Sequence, residues 1–406
     1  MHGKCVRLCQ FLAWVVMMGC EQGGEGPLLT PDPLQPSAAG QPAVPMQTTP
    51  VLQPHELVTR AHDDPDEWTQ IGRGGYAVTT NAKGEIYLAD GTLQKLDAQG
   101  KPIWCCTPLD GRAFVLVALE DGGVLVGGEH NTAIAGSATM QGFLTSVDAD
   151  GKPRWTRLFD EPSSPSRITG LARGDGQLYV AGQFKGTLRV GTAEVSSART
   201  DLDFFVLALS PDALTLRWSD VLGSATDDPD GPVLAAVPEG GVVAAGHMHS
   251  AALGFVRSYA ADGGLRQQLG VHGQVSLFQV VSDPQGHVWA AGVMRGAVEL
   301  DGQRPRRLVT GGEFDAFVLQ LDASGTLVSL EQVTSPRDGG ARSLGLAPHA
   351  DGVWFLHDYG YHSLGAETRE VIARVWSIDG RGMHVELEAF ALSASFSRHA
   401  AASTAE

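Results

Sequence analysis

One short pattern returns along this chain of 406 residues. It reads LDAQGKPIW at 96–104 and VDADGKPRW at 147–155: an apolar residue, an Asp, a Gly turn and a Trp. Weaker copies begin at Leu209, Tyr259, Leu321 and Trp376. Such a repeat indicates one supersecondary unit that cannot bury its faces alone and therefore stacks against its neighbours.

A tight turn followed by a β-rich run precedes each copy. Examples are DGGVLVG at 121–127 and DGQLYVA at 175–181, and related runs begin at 83, 239, 285 and 351. Asp-Gly between apolar runs is a strong hairpin signal, because both turn residues must tolerate positive φ. Each unit thus predicts four antiparallel strands in roughly 50 to 60 residues, the size of a propeller blade.

The sequence therefore predicts an all-β protein, a β-propeller of six four-stranded blades, over residues 68–390. The sequence offers two candidates for the strand that closes the ring, so the number of blades has an alternative. The segment 68–72 (WTQIG) resembles a detached outer strand, but 384–388 (HVELE) is also a candidate for the outer strand of the last blade. Seven blades are the alternative to six.

The middle loops of two units are long, at 183–203 and 293–315, and such loops lie on one rim of a propeller. Polar aromatic residues occur at the same point of other units, so we expect a ligand-binding patch on that rim. Its candidates are His247, His249, His357, Tyr359 and His362. Packing within the loops is the competing interpretation. A metal bound by His247 and His249 would need a third ligand, which the nearby sequence does not offer.

Acidic residues supply two further candidates. Asp227, Asp228 and Asp230 beside a Gly offer oxygens to calcium, although they lack the alternating spacing and distal Glu of a full calcium loop. The recurring Asp residues of the repeat precede a Gly turn, which favours capping of that turn over catalysis. Serine-hydrolase, zinc-protease, Walker and dinucleotide motifs are absent from the sequence. No other cofactor is expected.

The N-terminus has the layout of a bacterial lipoprotein signal. Lys4 and Arg7 precede an apolar run at 8–18, and Gly19-Cys20 follows. This predicts a signal peptide at 1–19, lipidation of Cys20 and attachment to a membrane through that anchor. Residues 20–60 are rich in Pro, so we expect a disordered tether there, and a disordered tail at 391–406.

The net charge bears on the class of partner, and the cysteines bear on the source of stability. The formal net charge is −17 before any cleavage, which disfavours nucleic acid. Cys105 and Cys106 are the cysteines expected inside the folded domain. Adjacent strand residues point to opposite faces, so a bridge between them would be strained, and stability is expected from blade packing.

Two segments carry a resemblance to a known family. The run GQLYVAG at 176–182 is followed by DLDFFVLAL at 201–209, and 312–325 reads GEFDAFVLQLDASG. These runs resemble the SBBP-type β-propeller repeats of bacterial surface and secreted lipoproteins. GEIYLAD at 84–90 resembles an NHL repeat, and LDAQGKPIW resembles the quinoprotein-type repeat. The resemblance implies the fold and an envelope location, and implies no catalytic residues.

These observations favour a lipid-anchored, extracytoplasmic propeller that serves as a non-catalytic binding or scaffolding module. The expected location is the bacterial cell envelope, at the outer membrane, with envelope proteins or glycans as partners. Two other classes stay open: a propeller enzyme acting on a glycan, and an assembly factor for outer-membrane proteins.

Overall fold

The computed structural model describes residues 77–393, except 90–91, 110, 135–136, 160–164, 198–201, 214, 224–230, 249–250, 284, 302–305, 312–313, 335–340, 350–351, 361–368 and 380–381. Every element in this part of the chain is a β-strand. None of the described residues forms a helix long and apolar enough to span a bilayer.

The first three blades are separate four-stranded antiparallel sheets. Blade 1 comprises β1 (Ala77–Thr80), β2 (Ile86–Ala89), β3 (Thr92–Leu96) and β4 (Pro102–Pro108). Blade 2 comprises β5 (Arg112–Ala118), β6 (Val124–Ile134), β7 (Ser137–Val147) and β8 (Pro153–Leu158). Blade 3 comprises β9 (Ser166–Gly174), β10 (Gln177–Phe184), β13 (Asp203–Leu209) and β14 (Leu216–Leu222), with the hairpin β11 (Thr187–Val190) and β12 (Ala193–Ser196) inserted.

One long strand joins the next two blades. Blade 4 comprises β15 (Val233–Ala236), β16 (Val242–Met248), β17 (Leu253–Tyr259) and the first part of β18 (Leu265–Ser282). The rest of β18 opens blade 5, with β19 (Val288–Leu300), β20 (Arg306–Val309), β21 (Asp315–Leu321) and β22 (Leu327–Val333). Blade 6 comprises β23 (Ala341–His349), β24 (Gly352–Gly360), β25 (Arg369–Asp379) and β26 (Gly382–Ser393).

The first strands of successive blades contact one another, β5 with β9, β9 with β15, and β15 with β18. They therefore form the inner wall, and each blade extends outward from it. The apolar clusters lie between blades, as in the contact of Leu125 and Leu144 of blade 2 with Ile168 of blade 3. The protein is an all-β β-propeller, and its described strands form six blades, as the repeat predicts.

The segment 384–388 lies in β26 and pairs with β25, so it is the outer strand of blade 6. Its competitor, 68–72, lies outside the described residues, as do the predicted signal peptide and tether. The last strand continues to Ser393, past the predicted boundary at 390. The two long middle loops contain the β11–β12 hairpin and β20, which pairs with an extension of β19.

The repeat's Trp and Gly meet across neighbouring blades. The Trp104 indole of blade 1 donates a hydrogen bond to the Ala149 carbonyl of blade 2, 2.8 Å away. A Cβ at Gly151 would come within 2.9 Å of the same indole. Gly151 also has φ +83, a conformation that disfavours other residues. The pattern therefore encodes an inter-blade contact: the Trp of one blade packs on the Gly turn of the next.

The recurring Asp residues cap those turns. The Oδ1 atom of Asp97 accepts hydrogen bonds from the backbone amides of Gln99 and Lys101, both at 2.9 Å. Asp148 makes the equivalent bonds to Asp150 and Lys152. This agrees with the structural role expected from the sequence. Cys105 is disulfide-bonded, although the sequence led us to expect stability from blade packing and not from disulfides.

Candidate functional site

Four inner strands, β5, β9, β18 and β23, carry a β-bulge at the same point, and the first three of these line the cavity described below. In β5, Ala113 pairs with Gly128 and Val115 with Gly127, which leaves Phe114 as the extra residue. In β9 the extra residue is Thr169, and in the second part of β18 it is Phe278. A bulge changes the direction of the extra side chain, and bulges are common beside functional sites.

A glycine on the paired strand stands beside each of the three bulges that line the cavity. A Cβ at Gly128 would lie 1.9 Å from the carbonyl oxygen of Arg112, and one at Gly182 would lie 2.0 Å from that of Arg167. Gly292 stands in the same relation to Ser276, also at 2.0 Å. At these three positions the backbones approach too closely for a side chain, whereas His357 occupies the equivalent position beside the bulge of β23.

The bulged residues line one cavity of about 350 Å³. Phe114, Thr169 and Phe278 are joined there by Arg112 and Arg167, each near the start of its strand. Since the inner strands of four successive blades contribute to the lining, the cavity lies at one end of the central channel. We call it the channel mouth. In each antiparallel blade this end also carries the loop between the second and third strands, so the cavity lies on the long-loop face.

A buried carboxylate holds the two arginines of the channel mouth. Glu129, whose side chain is 3% exposed, lies directly across from Arg112 in the β5–β6 ladder. Its Oε2 accepts hydrogen bonds from Nη2 and Nε of Arg167 in the next blade, at 2.9 and 3.0 Å. Its Oε1 lies 3.7 Å from Nη1 of Arg112. A buried charge requires such partners, so Glu129 links blades 2 and 3 and fixes Arg167.

Aromatic rings form the rest of the site. Both guanidinium groups lie over the Phe114 ring, with their carbons 5.5 Å (Arg112) and 5.4 Å (Arg167) from its centroid, within cation–π range. Phe278 is 37% exposed in the same cavity. The channel mouth therefore presents apolar ring faces beside two cations and one anion.

Of the residues predicted for the rim patch, His247 is described fully. It is 1% exposed, so it is a buried side chain and not an exposed rim group. Its ring meets that of Phe278 edge to face, 5.8 Å between centroids. His247 therefore packs against Phe278, a residue of the channel mouth, and is buried where an exposed group was predicted.

The other predicted residues are placed less fully. His357 and Tyr359 belong to β24, where they pair with Arg374 and Ile372 of β25, so they lie in a strand and not in a middle loop. Their side chains are outside the described set, as are His249, His362 and the calcium candidates Asp227, Asp228 and Asp230. Among the described residues no three His, Cys, Asp or Glu side chains converge as metal ligands would.

The sequence reasoning missed Arg112, Phe114, Glu129, Arg167 and Phe278. Their arrangement depends on bulges, which shift the alternation of side chains and so hide the inward-facing residue. A signal was available: Gly recurs within the second strand, as Gly128, Gly182 and Gly292, where a side chain would otherwise favour the strand.

A second cavity of about 300 Å³ lies at the opposite rim, where the tight turns are. Asp121, Arg154 and Trp155 line it, and the Arg154 and Asp121 side chains form a salt bridge. It lies between blades 2 and 3, away from the channel mouth, and provides a natural comparison for binding experiments.

No protein-family model and no curated protein matches this chain. It is similar to solved structures: Kuenenia stuttgartiensis hydrazine synthase (14% identity, TM-score 0.45, covering 74% of this chain and 76% of that chain), the Dos1 propeller (12%, 0.38, 80% and 82%) and a putative gluconolactonase (13%, 0.37, 79% and 87%). The fold assignment rests on the strand pairing above. The resemblance to SBBP-type repeats stays a prediction.

Proposed function

We propose that this protein is a non-catalytic binding module, an SBBP-type propeller lipoprotein anchored to the bacterial cell envelope, which binds its ligand at the channel mouth. The propeller supplies a rigid ring, and side chains from separate blades converge at one end of it. Scaffolds of this kind carry their function in sites that are added to a common fold.

One observation carries the proposal. The channel mouth combines volume, exposed aromatic faces and charged groups in one concave site on the long-loop face. Ligand sites are typically concave, mostly apolar, and oriented by a few polar groups. The bulges of three inner strands place Phe114, Thr169 and Phe278 at one cavity, and bulges are common beside functional sites.

The test is a ligand screen mapped by substitution. A panel of small sugars, acids, amines and aromatic compounds is screened against the full chain by saturation-transfer NMR. Phe114→Ala and Phe278→Ala are each expected to lower the affinity for a ligand of the channel mouth by about tenfold or more. This is the usual effect of removing a central aromatic contact. Trp155→Ala, at the opposite-rim cavity, is the control and should bind as the unsubstituted protein does.

Hits that survive both Phe substitutions but are lost in Trp155→Ala would place binding on the opposite rim and contradict the proposal. The same screen tests the rim-patch prediction, which expects alanine at His249, His357 and Tyr359 to weaken binding of the ligand.

The envelope anchor is tested separately. Cys20→Ala should leave the protein without an acyl chain and release it from the membrane fraction, because the lipid supplies the membrane affinity. Fractionation and intact mass measure both effects, and Cys9→Ala, within the predicted signal, is the matched control. Membrane association that persists in Cys20→Ala, with no acyl mass on the unsubstituted protein, would refute the anchor.

A further inference from the structure

The charges at the channel mouth favour an anion. Arg112 and Arg167 face one carboxylate, Glu129, so the cluster carries one excess positive charge. It does so in a chain whose formal net charge is −17. A ligand with a single negative charge would neutralise the cluster, whereas a dianion would leave an excess of negative charge in a partly desolvated site.

The two arginines have different tasks. Arg167 is held by Glu129 through two short contacts, and its Nη2 lies 3.5 Å from the Met140 sulfur. Its side chain is 20% exposed. Arg112 is 52% exposed, and its contact with Glu129 is longer, at 3.7 Å. Arg112 is therefore the group placed to meet a ligand, and Arg167 is a positioning residue that keeps Phe114 and Glu129 in place.

The apolar part of the channel mouth limits the size and shape of the ligand. Phe114 and Phe278 come from blades 2 and 5 and both line the cavity. The volume of about 350 Å³ is near the lower end for small-molecule sites, roughly 300 to 1,000 Å³. A small flat or ring-shaped body fits this space, with a carboxylate reaching Arg112 as a two-point hydrogen-bond partner.

Resting on the proposed function, we infer that the channel mouth binds a small ring-containing monocarboxylic acid, with the carboxylate paired to Arg112 and the ring against Phe114 and Phe278. The same cluster discriminates against neutral analogues, which offer no carboxylate to the exposed Arg112 guanidinium, and against phosphate, which brings a second negative charge close to Glu129.

The test uses benzoate, benzamide and inorganic phosphate as probes of the full chain, with dissociation constants from NMR titration. Benzoate should bind at least about tenfold more tightly than benzamide or phosphate, the factor that a hydrogen bond to a charged group supplies. Arg112→Gln should lower the affinity for benzoate to that for benzamide. Arg154→Gln, a half-exposed arginine in a salt bridge on the opposite rim, removes the same charge and should change nothing.

Glu129→Gln should have the opposite effect on affinity. It raises the excess positive charge of the cluster by one, so benzoate should bind severalfold more tightly, and the affinity for phosphate should increase by a larger factor than the affinity for benzoate. Circular dichroism verifies the fold of each variant; if Glu129→Gln does not fold, the Arg112→Gln and Arg154→Gln comparison decides alone. Benzamide binding as tightly as benzoate at the channel mouth would overturn the inference while leaving the binding-module proposal intact. Absence of benzoate binding, or loss of binding in Arg154→Gln and not in Arg112→Gln, would also overturn it.

Discussion

Gly182→Ala is expected to lower the free energy of unfolding by about 3 kcal/mol or more, at or beyond the upper end for overpacked sites. Gly182 lies in β10, where a Cβ would come within 2.0 Å of the Arg167 carbonyl oxygen and 2.9 Å of Phe205. One neighbour is backbone and the other is a fully buried ring, so moving either away from the new Cβ costs stability. Urea denaturation followed by circular dichroism measures the loss.

Gly223→Ala is the matched control. Gly223 also has an ordinary backbone conformation, and the nearest atom to its Cβ would be the Asp203 carboxylate at 3.9 Å. Its substitution should change stability by less than ~0.5 kcal/mol. If the two variants are equally stable, the close approach at the bulge is not what requires Gly182. A folded Gly182→Ala should also bind channel-mouth ligands less well, because Arg167 and Thr169 must move.

Trp218→Ala is expected to cost about 3 kcal/mol, as the removal of large packed aromatic residues does. The Trp218 ring stacks on Tyr259 of blade 4, with 5.4 Å between centroids, and its indole donates to the Ala261 carbonyl at 3.0 Å. A Cβ at Gly263 would lie 2.7 Å from this ring. The substitution therefore removes most of one inter-blade contact, and thermal and urea denaturation measure the effect.

Trp218→Phe separates packing from hydrogen bonding, since it keeps a ring and loses the indole donor. It should cost about 1 kcal/mol, the usual net worth of one hydrogen bond. Equal losses in the Phe and Ala variants would show that the hydrogen bond, and not the stacking, holds blades 3 and 4 together. The Tyr259 hydroxyl donates a hydrogen bond to Asp220. Burial and this hydrogen bond raise the pKa of Tyr259 above the usual range, so the ring that Trp218 stacks on is neutral at physiological pH.

The structure makes the inter-blade contact and the channel mouth two uses of one repeat. The Trp and Gly of the repeat join the blades at the tight-turn rim, as Trp104 with Gly151 and Trp218 with Gly263. Glycines within the second strands of blades 2, 3 and 5 permit the bulges that line the channel mouth. The Trp–Gly contacts and the channel mouth thus lie toward opposite rims of the propeller, and substitutions at one rim need not disturb the other.

The repeat allowed much of the fold to be predicted. Alternating strands and Gly turns recur at a fixed order, so strand order, antiparallel pairing and the number of blades follow from local patterns. The role of Asp97 and Asp148 was also predictable, because a side chain that caps its own turn needs no distant partner. That the long middle loops share one rim was predictable too, since antiparallel strands bring all loops of one kind to the same rim.

The composition of the site was not predictable in this way. Arg112, Glu129 and Arg167 are far apart in sequence and meet because β5, β6 and β9 belong to adjoining blades. Phe114 and Phe278 face the cavity because a bulge shifts each inner strand by one residue, and a shift of one residue reverses which side chains face inward. His247 was chosen as an exposed group, but the register places its ring behind Phe278.

The sequence by itself determined the repeated unit, its turns and the Asp residues that cap them, because each of these depends on local backbone chemistry repeated at a regular spacing. Only the tertiary structure decided that the Trp of one blade packs on the Gly turn of the next, and which side chains meet at the end of the channel. That outcome depends on strand register and on contacts between blades, which join residues far apart in the sequence.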